Sequence, residues 1–152
     1  MATTWIRAAN QAPPPNSDVV ALAPILDKNG NYRQIPILAT YTSYRDDNRY
    51  ETAASYFRTV TYFLPFNKNV LLEPEEGHLQ FKQLPSKSAN PGDTDGESET
   101  PTYVVRMELE GRTTFSTATY SNGMWHNNAG KLTHVTHVAK LPKVPPMPEE
   151  YI

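Results

Sequence analysis

The chain has 152 residues, a formal net charge of -2 from 14 basic and 16 acidic side chains, and no cysteine. That length suffices for one domain, since about 150 residues bury roughly 68–70% of the unfolded surface. The missing cysteines exclude disulfides, thiolate metal sites and thiol nucleophiles, and the scattered Lys and Arg residues disfavour nucleic acid, which needs several cations on one surface.

Fourteen prolines and nine tyrosines set the fold class. Proline removes a backbone donor and breaks helices, whereas Tyr, Thr and Val suit strands. The expectation is a mainly β fold, α+β at most: one compact domain (1–152) of antiparallel strands and hairpins, with one short helix and a proline-rich C-terminal tail.

In chain order, TTWIRA at 3–8 is a short strand or arm anchored by Trp5 and Ile6. PPPN at 13–16 is a stiff turn. VVALAPIL at 19–26 and YRQIPILATYTS at 32–43 form a hairpin around Asn29-Gly30, a strong turn signal. Pro24 and Pro36 lie at similar distances from that turn. Because proline cannot donate to a ladder, they predict an edge or bulge and a hairpin away from the sheet centre. RDDNRYETAASYF at 45–57 is the credible helix. Asn48 and Glu51 have capping-box spacing, and Tyr50, Ala53, Ala54 and Phe57 share a helical face. The competing reading makes 55–64 a long strand, and the favoured one is a short helix or turn before a strand starting near Ser55. Residues 64–69 are a turn, and VLLEP and HLQFKQL are short strands flanking an acidic turn.

Residues 86–101 contain no large apolar side chain, but hold Asp93, Asp95, Glu97 and Glu99. Such a segment gains too little burial to offset its ordering entropy, so a flexible acidic surface loop is expected. A calcium loop is the weaker reading, because nothing flanking it resembles the helices of an EF-hand. TYVVRMELE at 102–110 alternates cleanly, with Tyr103, Val105, Met107 and Leu109 on one face. TTFSTATY follows as its hairpin partner, Asn122-Gly123 makes the next turn, and KLTHVTHVA at 131–139 is the last strand. LPKVPPMP, with four prolines, begins an extended tail over 141–152.

His134 and His137 are the natural candidates for chemistry. On a pleated strand they point to opposite faces and bind no common metal. The His-Val-Thr at 134–136 matches the His-x-Thr element of two-histidine phosphoesterases, yet that chemistry needs a second copy and His78, His126 and His137 supply none. No spacing supports a zinc site, and there is no Gly-x-Ser-x-Gly elbow, glycine-rich phosphate loop or HExxH. No catalytic residue, metal or cofactor is therefore assigned.

The two chain ends carry a resemblance. TTWIRAANQAPPPNSDVVALAPI combines a Trp-Ile opening, a proline turn and an apolar strand. ATYSNGMWHNNAGKLTHVTHVAKLPKVP combines a tyrosine strand, an Asn-Gly turn, a Trp and a Thr-His-x-x-x-Leu-Pro ending. Together they resemble a small family of phage and prophage proteins known as a domain of unknown function, number 551. Trp5, Ile6, Pro15, Val19, Val20, Tyr120, Gly123, Trp125, Thr136, His137, Leu141 and Pro142 fit its pattern. Val138 stands where the family has Trp, Lys140 replaces a proline, and residues from about 43 to 112 would be an insertion. The resemblance implies a phage accessory protein of β-rich fold and implies no activity. It also suggests that Trp5, Tyr120, Trp125 and the Leu141-Pro142 corner gather with His137, as core or as binding pocket. Trp5, Tyr120, Trp125, His134 and His137 are accordingly the candidate binding residues.

The function expected is a binding protein acting on a host or phage protein, conceivably against a host defence. The alternatives are a nucleotide or small-molecule binder using tyrosines with Arg45, Arg49, Arg58 and Arg106, a virion accessory protein, and a histidine-dependent hydrolase. The N-terminus lacks the apolar core of a signal peptide and no stretch approaches the length of a membrane span. A soluble protein of the host cytoplasm, with no membrane partner and with homo-oligomerisation open, is the expectation.

Overall fold

Strand-forming residues dominate the chain, and the computed structural model pairs them into two six-stranded antiparallel sheets. It describes residues 4–45, 47–69, 77–92 and 100–151. The chain divides into two compact units, Met1–Leu79 with Pro142–Ile152 and Gln80–Leu141. Among the described residues no helix is long and apolar enough to cross a membrane.

The first unit contains β1 (Ile6–Arg7), β2 (Ser17–Leu26), β3 (Tyr32–Tyr44), β4 (Asp47–Glu51), β5 (Tyr56–Phe57) and β6 (Tyr62–Pro65), in the order β1-β6-β2-β3-β4-β5. The β2–β3 hairpin is thus central, contrary to the expectation drawn from its prolines. The register explains how the centre tolerates them. Asp27 N–H donates to the Asn31 carbonyl at 2.7 Å, and that pair continues the Leu26↔Tyr32 register. Hydrogen-bonded pairs in an antiparallel ladder alternate, so odd-numbered residues of β2 face β3 and even-numbered ones face away. Pro24 is even, and Pro36 lies opposite Leu22, so both ring nitrogens point outward. Of β2, only Val19–Leu22 pair with β6, and of β3, only Thr40–Tyr44 pair with β4. Each proline therefore lies on a stretch that has no outer neighbour.

One face of this sheet carries the cluster Val19, Ala21, Ala39, Tyr41, Tyr50, Val60 and Phe63, and on the other face Val20, Leu22 and Leu64 are also fully buried. Tyr41 and Tyr50 are direct cross-strand partners with rings 4.9 Å apart at 61°. Burial first, and Tyr41 second, push the Tyr50 phenol up to about 12.

No helix forms over 45–57; a turn precedes a short strand at Tyr56–Phe57, as the turn alternative has it. Residues 47–51 add β4 to the long β3, where Tyr50 gains its aromatic partner. Thr52 then builds a turn, its hydroxyl accepting from the Ala54 and Ser55 N–H groups at 3.3 and 3.0 Å. Tyr50 and Phe57 meet across β4–β5, while Ala53 and Ala54 are exposed. The only helical turn among the described residues is the 3-10 turn Glu149–Tyr151.

The second unit contains β7 (Lys82–Gln83), β8 (Tyr103–Leu109), β9 (Arg112–Ser121), β10 (Met124–Asn127), β11 (Gly130–Leu132) and β12 (Val135–Lys140), in the order β11-β10-β9-β8-β12-β7. The strand expected over 131–139 is thus two strands. His134, at φ 65°, turns the chain between them. Three strands separate β11 from β12 in the order, a distance of about 19 Å along a flat sheet. The Leu132–Val135 link spans at most about 11 Å, so the sheet must curl. It bends along β9, whose pairing passes from β8 at Ala118 to β10 at Thr119. Inside the curl lie Leu84, Tyr103, Val105, Ala118, Trp125, Val135 and Val138. Val104, expected on the wet face, is also fully buried.

The loop after β7 and the proline-rich tail make defined contacts where described. In residues 86–92, the Ala89 carbonyl accepts from Trp125 Nε1–H at 2.9 Å, and Ser88 exchanges hydrogen bonds with Val135. The acidic residues 93–99 of that loop, with the calcium reading, lie outside the described residues, as does the whole of the VLLEP strand. The tail residues 142–151 contact the first sheet through Trp5, Arg7, Tyr32 and Gln34.

The outward prolines seal both outer edges of the hairpin against strand addition. Replacing Pro24 and Pro36 together by Val restores one edge N–H on each side. The double variant should keep its circular dichroism spectrum and sediment with a larger associated fraction than the parent at equal concentration. Unchanged sedimentation would mean that the edges are closed by other means.

Candidate functional site

The histidines come first. His134 sits outside the strands, and its Nδ1 lies 2.8 Å from the Thr133 hydroxyl. His137 pairs with Arg106 across β12–β8, and its Nδ1 lies 3.0 Å from the Thr136 hydroxyl. The strict alternation expected over 131–139 fails here. The register shifts between Val135 and His137, and such a bulge opposes two residues to one. Val135 and Val138, three apart, consequently enter the same core. Each histidine bonds the threonine before it, and the two have no partner in common. Among the described residues no group of three His, Cys, Asp or Glu could hold a metal.

His137 is not in the aromatic core, where the resemblance had suggested it. It lies in a polar network. Arg106 donates to the Thr136 hydroxyl at 2.8 Å and to Glu108 at 3.1 Å. Burial, then the Arg106 charge, push the His137 imidazole below its ordinary value of 6.5, with Glu108 opposing.

The five candidate binding residues separate by unit. Trp125 and Tyr120 meet with ring centroids 5.2 Å apart at 63°, and Tyr103 closes on Trp125 at 5.1 Å and 85°. Trp125 is fully buried and its indole is bonded, so this cluster is packed core. Trp5 belongs to the first unit, where its Nε1–H donates to the Pro142 carbonyl at 3.2 Å.

The arginines suggested for phosphate binding are largely engaged. Arg49 lies 3.0 Å from Glu51 and 4.8 Å from the Tyr56 ring centroid. Arg58 bonds Asp47 at 3.3 Å and lies over the same ring at 5.2 Å. Pairing cancels the charge that a phosphate would need.

Two features were not read from the sequence. Register places Thr119 opposite His126, and the Ser121 hydroxyl lies 2.5 Å from His126 Nε2. No carboxylate bonds the other nitrogen among the described residues, so a triad is not assembled there. The second feature is the outer half of the β2–β3 hairpin. Past the ends of β6 and β4, the core stripe of the sheet continues through Ile25 and Ile35, each 39% exposed. Leu26 and Tyr32 are 57% and 43% exposed on the reverse face. Arg33 lies directly opposite Ile25, and Lys28 is on the turn. Neither enters an ion pair among the described residues. The alternation of apolar residues was visible in the sequence, but where the flanking strands stop was not.

Comparison with family models, curated proteins and solved structures finds no match.

Two outcomes follow. Trp125→Ala opens a cavity in the second core and should cost about 3–5 kcal/mol. Trp125→Phe keeps a ring but leaves the Ala89 carbonyl unbonded, and should cost about 1–3 kcal/mol. Urea denaturation measures both, and a loss below 1 kcal/mol for either alanine or phenylalanine would show that the ring is dispensable. Separately, a folded-state value for His137 below 6.5 means that the unfolded chain binds its proton more tightly. The contribution of His137 is full above about pH 6.5 and is lost as pH falls through its lower folded value. The stability difference between the parent and His137→Asn should therefore shrink on going from pH 7.5 to pH 5. A difference independent of pH would contradict the assignment.

Proposed function

We propose that this chain is a non-catalytic binding protein of the phage accessory kind, acting on a host or phage protein through the outer half of the β2–β3 hairpin. The observation that carries the reading is the exposure of Ile25 and Ile35 on the core face of the hairpin, beyond the strands that flank the rest of that ladder. An isolated apolar side chain on a surface needs no explanation, but Ile25 and Ile35 prolong a stripe that is core in the rest of the sheet, and exposed apolar surface of that kind marks an interaction site. Edge pairing is closed off by Pro24 and Pro36, so the contact is made by side chains. Arg33 beside Ile25 favours a partner that is apolar at its centre and carries carboxylates at its rim. The phage lineage rests on the resemblance of the two chain ends.

The test compares tagged parent and variants in pull-downs from phage-infected host cells. Ile25→Asp with Ile35→Asp should keep the melting temperature within a few degrees and reduce recovery of the partner at least tenfold. Arg33→Glu should weaken recovery and abolish its salt dependence. A partner retained by all these variants would place the contact elsewhere.

A further inference from the structure

The tail 142–148 is seated on the first sheet in a repeating manner. Its backbone is almost fully constrained by sequence. Proline fixes its own φ near -65°, and a residue before proline is pushed to extended or polyproline geometry. Between Pro142 and Pro148 only Lys143 escapes both restrictions. Such a segment favours polyproline II, with three residues per turn and no internal hydrogen bonds. Pro142, Pro145 and Pro148 are half-buried at that period, Met147 is half-buried beside them, and Lys143, Val144 and Pro146 are exposed.

Two side-chain donors read the same period. Trp5 Nε1–H donates to the Pro142 carbonyl at 3.2 Å, and Gln34 Nε2 donates to the Pro145 carbonyl at 2.6 Å, three residues on. The Gln34 amide is held for this task. Its Oε1 lies 2.6 Å from the hydroxyl of Thr61, which is fully buried, so the NH2 end is left for the tail. Beyond the prolines, Tyr151 packs edge-on against Tyr32 at 5.4 Å, and Arg7, lying over the Tyr62 ring, pairs with Glu150.

We propose that Trp5 and Gln34, supported by Thr61 and Tyr32, form a recognition site for polyproline-II segments of Pro-x-x-Pro-x-x-Pro spacing, which the chain's own residues 142–148 fill in cis. The two donors contact backbone carbonyls, and spacing is what they select. Side-chain identity is read only at the Glu150 and Tyr151 end. A free segment with the same spacing is therefore a competent ligand, and the tethered tail is its competitor. Tethering gives the tail an effective concentration in the millimolar range, so the site is closed to dilute ligands until the tail is loosened.

The probe is a synthetic peptide of residues 141–151, titrated into the 15N-labelled full chain. The reporter is the Trp5 indole N–H resonance. In the full chain carrying Pro145→Gly and Pro146→Gly, the resonance should move saturably, with an apparent Kd at least tenfold below that of the parent chain. A peptide of identical composition, with its prolines moved out of three-residue spacing, should leave it unmoved. Should the glycine variant fail to fold, Glu150→Ala, which releases only the exposed end of the tail, serves for the same titration. No saturable movement in a folded, loosened chain, or equal response to both peptides, overturns the proposal. Hairpin variants such as Ile25→Asp leave this titration unchanged, which separates it from the partner surface proposed above.

Discussion

The β2–β3 ladder is the constraint on which the first unit depends. Its ten consecutive pairs set which residues face each side, and one slip of register would exchange the core stripe for the opposite face. The turn at Asp27–Asn31 pins that register. The Asp27 carboxylate accepts from the Asn29 and Asn31 N–H groups at 2.9 Å each. From this follow the stripe Val19, Ala21, Ala39 and Tyr41, the outward prolines, and the run of apolar side chains past the flanking strands. Structure and exposed surface have one cause: a hairpin longer than the neighbours that cover it.

The second unit rests on a different device. A short link between β11 and β12 forces the sheet to curl, and Trp125 fills the curl. The residues bridging that turn are Thr133 and His134. Their local role accounts for the histidine that the sequence singled out. A left-handed backbone at His134 and a bulge before His137 are needed to bring the chain back beside β8. His134 serves this geometry, and His137 joins the Arg106–Thr136 network.

Much of the local structure was legible. Asn29-Gly30 and Asn122-Gly123 marked turns, because left-handed backbone favours those residues. The alternation of 103–109 marked β8, and proline density marked the tail as outside any strand. What failed depended on contacts distant in sequence. Residues 47–51 carry a helical pattern, and only the edge offered by β3 converts them into β4. Pro24 and Pro36 argued for an edge strand, and they do occupy locally unpaired stretches, but the hairpin is central because β6 and β4 flank its other half. Of the candidate binding residues, Trp125 and Tyr120 are paired in the core. The value of Trp5 became visible only with Gln34 beside it on the tail, and nothing in the spacing of residues 5 and 34 announces that pairing.

The central claim is that the outer hairpin half is a formed ladder with unpaired outer edges, whose exposed side chains await a partner. Native-state hydrogen exchange of the uncomplexed chain addresses it most directly. Amides that face into the ladder, at Ala23, Ile25, Arg33 and Ile35, should exchange slowly. The outward amide of Gln34 should exchange fast. Fast exchange throughout 32–35 would mean that the ladder does not extend beyond its flanking strands, and slow exchange at Gln34 would mean that the outer edge is already occupied.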